Sequence, residues 1–138
     1  MDRAEIAAAV QRELTVFARR VRGAPQQELP FVAYSMLSSI DAADGCRSVD
    51  LVALYRLDKS TVSRQVGDLE RRGLVGRTTD PARGRGQLLV VTPAGGALLR
   101  EAAATREAEL ASRVAGWSDE ELATFAAALQ RYNAAEPD

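Results

Sequence analysis

The feature that most restricts the fold of this chain is a change of hydrophobic period at Gly73. Before Gly73, apolar residues recur every three or four positions, which is typical of helices that bury one face. After it come two short runs rich in apolar and β-branched residues, 74–79 and 88–92, which predict two strands. The turn between them, 80–86, contains glycine and arginine. We therefore expect a mainly helical protein with one β-hairpin near its middle.

Six helices are predicted around this hairpin. Ser48 and Asp58 are suitable N-caps for the third and fourth helices, and Ser118 with Glu121 forms a capping-box pattern for the sixth. Pro30 suits the first turn of the second helix, and Gly73 is a C′ glycine after the fourth. The predicted helices span residues 3–22, 29–43, 49–55, 59–72, 92 or 93 to 115, and 118 onward.

Length and composition exclude several classes of function. The 138 residues correspond to one domain, and the chain has no histidine and one cysteine, Cys46. Ser–His and Cys–His catalytic pairs, imidazole or thiolate metal clusters and an intrachain disulfide are therefore excluded. We expect a cytoplasmic protein without a cofactor and without enzymatic activity. Catalysis by paired carboxylates is the remaining enzymatic alternative, and it is disfavoured because the acidic residues are dispersed along helices.

The charge of the chain is unevenly distributed. The formal net charge is −1, yet residues 56–85 contain eight cationic and four anionic side chains, a net charge of +4, which leaves −5 elsewhere. A basic centre between acidic ends indicates a local surface for a polyanion, although the chain as a whole is not basic.

Two short helices joined by a tight turn and followed by a basic hairpin are the layout of a winged helix-turn-helix. A helix about 10–12 Å across fits the major groove of DNA and reads it mainly with its N-terminal residues. Val62, Val66 and Leu69 anchor the fourth helix, which leaves its polar side chains for DNA. For Arg77, an ion pair that braces the hairpin is an equal alternative to a phosphate contact. The candidate DNA-binding residues are Ser60, Thr61, Ser63, Arg64, Gln65, Arg77, Arg83 and Arg85.

The sequence-specific part of this pattern resembles the MarR family (multiple antibiotic resistance regulators). The residues that carry the resemblance are 49–51 (VDL), 57–77 (LDKSTVSRQVGDLERRGLVGR) and 91–95 (VTPAG). The resemblance implies a homodimeric bacterial transcriptional regulator that binds a pseudo-palindromic operator, and we expect a repressor. It also implies a single domain, 1–138, with a winged lobe at 29–92 and helical dimerisation regions at 1–28 and 93–138.

In many members of that family a small aromatic ligand binds between the lobes and the dimer region and weakens DNA binding. Tyr34, Met36 and Tyr55 are the candidate pocket residues, with ordinary core packing as the alternative. Trp117 is expected in the dimer core. Redox sensing through Cys46 is the less favoured alternative to an inert thiol, because it needs an accessible thiol of lowered pKa.

Three positions depart from the family pattern. Arg83 occupies the place of the aspartate in the usual Asp-x-Arg pair of the wing tip, with Asp80 as a possible substitute. Arg56 stands in place of a glycine between the third and fourth helices, and Val52 replaces a small alanine.

A winged domain that binds only proteins, without DNA binding, is the alternative function.

Overall fold

The computed structural model describes residues 1–23, 29–82 and 86–137. Within them lie six helices and one antiparallel two-stranded sheet, which confirms the mainly helical fold with a hairpin wing. No helix in these ranges combines the length and the apolar composition needed to cross a membrane. The elements are α1 (Arg3–Arg22), α2 (Phe31–Ala42), α3 (Ser48–Tyr55), α4 (Lys59–Arg71), β1 (Val75–Thr79), β2 (Gln87–Val91), α5 (Pro93–Arg113) and α6 (Asp119–Ala134).

The start of α3 differs from the prediction. Ser48 is the first helical residue and Arg47 is the N-cap, so the N-cap prediction for Ser48 was wrong. The reason is that Asp50 Oδ2 accepts a hydrogen bond from the backbone N–H of Arg47 at 2.9 Å, which fixes the first turn one residue earlier. Pro30 likewise precedes α2 as its N-cap instead of lying in its first turn.

The remaining caps agree with the sequence. Asp58 caps α4, and Ser118 with Glu121 forms the expected capping box of α6. Gly73 has φ +71° just after α4, in the left-handed region that favours glycine. Arg56 also has a left-handed backbone, with φ +52° at the C-cap of α3, where the family pattern led us to expect glycine.

The winged lobe has one hydrophobic core, to which α2, α3, α4 and the hairpin all contribute. In the hairpin, Val75 pairs with Val91 and Thr79 with Gln87. A β-bridge between Cys46 and Leu89 adds the segment before α3 to the edge of β2. The side chains that are almost completely buried are Leu29, Met36, Leu37, Ile40, Leu51, Val62, Val66, Leu69 and Leu89.

The chain divides into two compact units, residues 1–102 and 103–138. In the first unit, α1 has no buried residue, and Ile6, Val10 and Phe17 of its apolar stripe are about half exposed. In the second unit, α6 also has no buried residue. Trp117 there packs edge-on against Phe125, with ring centroids 5.5 Å apart, and both rings remain exposed. Both α1 and α6 therefore have apolar side chains that are exposed.

Candidate nucleic-acid interface

The N-terminus of α4 is held by a side-chain cap. Asp58 Oδ1 accepts hydrogen bonds from the backbone N–H of Thr61 at 2.6 Å and from the Ser60 hydroxyl at 2.8 Å. These bonds lower the pKa of Asp58 to about 2, with the bond from the Thr61 backbone as the largest cause. The carboxylate is therefore ionised near neutral pH and keeps the first turn of α4 in one arrangement.

The two faces of α4 differ as the sequence predicts. Val62, Val66 and Leu69 are buried in the core of the lobe. On the outer side, the Arg64 guanidinium donates a hydrogen bond from Nη2 to Thr61 Oγ1 at 3.2 Å. The predicted residues of the helix are therefore brought together beside its N-terminus: Ser60, Ser63 and Arg64 are exposed, whereas Thr61 and Gln65 are half-buried.

Arg77 lies on β1 and forms an ion pair with α4. Its Nε lies 3.2 Å from each carboxylate oxygen of Glu70, and its Nη2 lies 2.9 Å from Glu70 Oε1. The hydrogen bond from Arg77 lowers the pKa of Glu70, and the same bond raises the pKa of Arg77. The structure thus contains the brace that was the alternative to a phosphate contact for Arg77.

The hairpin loop is closed where the strands end. The backbone N–H of Asp80 donates to the carbonyl of Gly86 at 2.7 Å. The Asp80 carboxylate accepts from the backbone N–H of Ala82 at 2.9 Å and from Arg47 Nε at 3.2 Å. The predicted wing contacts Arg83 and Arg85 lie outside the described residues.

Arg47 is the residue of this region that sequence reasoning missed. It lies 33 positions before its partner Asp80, so no local pattern connects the two. Two further cations near the start of α4, Arg56 and Lys59, are exposed and add to the positive charge there. They were counted in the basic segment and were not singled out as contacts.

The candidate pocket residues belong to or border the core. Met36 has no exposed surface, whereas Tyr34 and Tyr55 are half-buried against the same core. The Tyr55 hydroxyl lies 2.6 Å from Ser35 Oγ and 3.1 Å from Ser39 Oγ. Tyr34 and Tyr55 therefore keep part of their surface exposed, whereas Met36 belongs to the core, as the alternative interpretation expects.

Cys46 is held in a structural position. Its side chain is buried, and its backbone N–H and carbonyl form the two hydrogen bonds of the bridge to Leu89, at 3.1 Å and 2.7 Å. Burial raises the pKa of the Cys46 thiol, and the nearby Asp50 carboxylate raises it further. A buried thiol of raised pKa is a poor nucleophile, so the geometry favours the inert role.

Together, the capped helix with its polar outer side and the adjoining hairpin define a class: transcription regulators that bind DNA through a winged helix-turn-helix. The family model described as "MarR family" matches residues 27–86. The uncharacterized HTH-type transcriptional regulator YxaD of Bacillus subtilis (strain 168) is 34% identical over an alignment of 131 residues, and the match covers 91% of this chain and 92% of that protein. The chain therefore belongs to the MarR family, whose members are DNA-binding transcription regulators and not enzymes, as the sequence predicts.

Solved structures share this fold. A MarR family protein from Bacillus stearothermophilus has a TM-score of 0.80 at 20% identity, over 96% of each chain. BpsR of Bordetella bronchiseptica has a TM-score of 0.68 at 26% identity, over 96% of this chain and 93% of that one. The DNA binding of BpsR is described as regulated by 6-hydroxynicotinic acid.

Proposed function

We propose that this protein is a homodimeric repressor that binds a pseudo-palindromic operator with α4 and the wing of each protomer, and that a small aromatic ligand releases it. The observation that carries the proposal is the outer side of α4. Three of its polar N-terminal residues are exposed, its three apolar anchors are buried, and Arg77 ties the adjoining hairpin strand to the same helix.

Each part of the lobe has a distinct role in this proposal. The positive end of the α4 dipole attracts phosphate, while the outer side chains contact base edges. Arg83 and Arg85 on the wing contact the minor groove and its phosphates. Arg77 supports the wing through Glu70. The base-contacting residues are Ser60, Thr61, Ser63, Arg64 and Gln65.

Dimerisation is supported by the uncovered apolar surface of the terminal helices. Phe17 on α1 and Phe125 on α6 are both more than 40% exposed in the protomer. Such surface is covered in oligomers, most often by a second copy related by a twofold axis. Two lobes related in this way read half-sites with centres about 34–36 Å apart. Light scattering should give twice the chain mass at micromolar concentration, and a monomeric mass there would contradict this part of the proposal.

Repression follows from occupancy of the operator. A dimer that lies in two successive major grooves excludes other proteins from the same DNA. The ligand class is suggested by BpsR, whose DNA binding responds to an aromatic acid. In this chain, Tyr34, Tyr55 and the core residue Met36 are the side chains proposed to line the site of such a ligand. A melting-temperature screen with aromatic acids identifies a ligand because binding to the folded state raises stability. A hit should also weaken operator binding.

The decisive experiment is selection of bound fragments from genomic DNA, followed by affinity measurements at several salt concentrations. Arg64→Ala should weaken specific binding by about 1–3 kcal/mol and relax the sequence preference. Arg85→Ala should weaken binding to all sequences and reduce the salt slope by about one.

Arg71→Ala is the matched control, because it removes the same charge from an exposed ion pair with Asp68 at the opposite end of α4. It should leave operator affinity unchanged. If the double variant of Arg64 and Arg85 binds the operator with wild-type affinity and salt dependence, the DNA-binding proposal is wrong. A protein-interaction module would select no DNA fragment at all.

A further inference from the structure

The carboxylate of Asp80 is the starting point of a further inference. Among the residues that the structure describes, Asp80 is the only charged side chain that is buried, with 8% of its surface exposed. It lies directly after β1, where the chain leaves the hairpin ladder and enters the wing loop. A buried carboxylate is costly unless a cation and hydrogen-bond donors compensate it. Its partner is therefore important to the shape of the loop.

That partner, Arg47, has a backbone that is fixed on both sides. The preceding residue, Cys46, forms the two-bond bridge to Leu89 of β2. On the other side, Asp50 accepts the backbone N–H of Arg47 at 2.9 Å. The Arg47 side chain therefore starts from a rigid point between the sheet edge and α3.

The Arg47 guanidinium lies between the two ends of the wing loop. Its Nε donates to Asp80 Oδ2 at 3.2 Å, and the group lies so close to Gly86 that a Cβ there would overlap it. Asp80 and Gly86 are themselves joined by a backbone hydrogen bond of 2.7 Å. One cation thus contacts both residues at which the wing loop begins and ends.

We propose that Arg47 is a positioning residue for DNA binding: through Asp80 and Gly86 it fixes the base of the wing loop against α3. The inference rests on the proposed function in one respect, that the wing contacts DNA. A loop base that is ordered before binding lowers the entropy that is lost when the wing meets DNA.

The test uses Asp80→Asn, because two mechanisms predict opposite changes in operator affinity for this variant. This change removes a negative charge from a surface that faces a polyanion, so long-range electrostatics alone predicts equal or tighter binding. If the ion pair positions the wing, binding to the selected operator should instead weaken, by about three- to tenfold, the scale of one hydrogen bond formed before binding. Equal or tighter binding by Asp80→Asn overturns the inference.

Two further variants complete the measurement. Arg47→Met should weaken binding, and the double variant Arg47→Met with Asp80→Asn should be no weaker than Arg47→Met alone, because both changes break one interaction. If instead the two substitutions reduced operator affinity by independent factors that multiply in the double variant, the proposal would be contradicted. Asp68→Asn is the matched control, since it removes an exposed carboxylate on α4 that pairs with Arg71. It should not weaken binding.

Whether the wing contacts DNA is tested separately, by measuring the operator affinity of Arg83→Ala and Arg85→Ala. If both bind as the wild type does, the wing does not contact DNA and the proposed function fails at that point. If both weaken binding while Asp80→Asn does not, only the positioning role of Arg47 is overturned.

A measurement on the free protein keeps the inference testable if Asp80→Asn unfolds. Arg47→Lys keeps the charge and loses the Nε donor. Hydrogen exchange of the Asp80 amide, which donates to Gly86, should become faster in Arg47→Lys, while amides in the middle of α4 keep their rates. An unchanged Asp80 exchange rate would show that Arg47 does not fix the loop base.

Discussion

Arg77 Nη2 lies 2.9 Å from Glu70 Oε1, and Arg77 Nε lies 3.2 Å from each oxygen of the same carboxylate. The pair connects β1, the first strand of the wing, to α4. Both elements are joined in sequence only by the short turn at Gly73. The ion pair therefore adds a side-chain link between β1 and α4 to the core that the two elements share.

Replacing Glu70 by Gln should destabilise the protein by no more than about 1 kcal/mol, because the side chains of Glu70 and Arg77 are 33% and 40% exposed and solvent screens the pair. The lowered pKa of Glu70 sets the pH dependence. The contribution of the Glu70–Arg77 pair to stability is complete above the ordinary glutamate pKa of 4.5. It is lost as the pH falls through the lower pKa that Glu70 has in the folded protein. Urea unfolding at pH 7 and at acidic pH measures the difference from wild type, which should shrink in acid. Glu109→Gln, which breaks a 3.3 Å pair within one helix, should have a smaller effect at pH 7.

Asp58 should make α4 sensitive to acid. Its pKa is about 2 in the folded protein and its ordinary value is 3.8, so its stabilising effect is present above pH 3.8 and is lost as the pH falls towards 2. Asp58→Asn retains a capping oxygen but cannot titrate in this range. The melting temperature of the wild type should therefore decline more steeply than that of Asp58→Asn between pH 4 and 2. Parallel declines would contradict the assignment.

Adjacent glycines of α5 should respond oppositely to alanine. A Cβ on Gly95 would overlap the Leu74 carbonyl, so Gly95→Ala should destabilise the lobe by about 1–3 kcal/mol. A Cβ on Gly96 would meet only the end of the Arg100 side chain, at 3.4 Å. Gly96→Ala should therefore stabilise the helix by up to about 1 kcal/mol. Chemical denaturation of the two variants tests this contrast, and equal effects would exclude the close approach at Leu74.

Arg56→Gly should increase stability by about 1 kcal/mol, because a non-glycine residue at φ +52° carries the steric cost of the left-handed region. Arg72 provides the comparison: it is the C-cap of α4 with φ −79°, so Arg72→Gly should give no gain. Thermal unfolding of both variants is the measurement. A stabilising Arg72→Gly would mean that loss of charge, and not backbone strain, explains the effect at Arg56.

The order of helices and strands follows from short-range signals that are visible in the chain. The period change at Gly73 separates α4 from β1, and Asp58 and Ser118 mark the starts of α4 and α6. Capping and periodicity involve residues at most four positions apart, so they can be recognised in the sequence without knowledge of any tertiary contact. The error at Ser48 arose because the N-cap was chosen by residue type, whereas the Asp50 carboxylate fixes Arg47 there.

Contacts between distant elements account for what local patterns did not reveal. Asp80 meets Arg47 only because the bridge between Cys46 and Leu89 brings the start of α3 to the edge of the sheet. The apolar stripe of α1 is visible in the sequence, but its exposure is not. The stripe is exposed because the core is formed by side chains of other elements. Both properties require the packed chain, because they depend on pairs of residues whose separation in sequence says nothing about their separation in space.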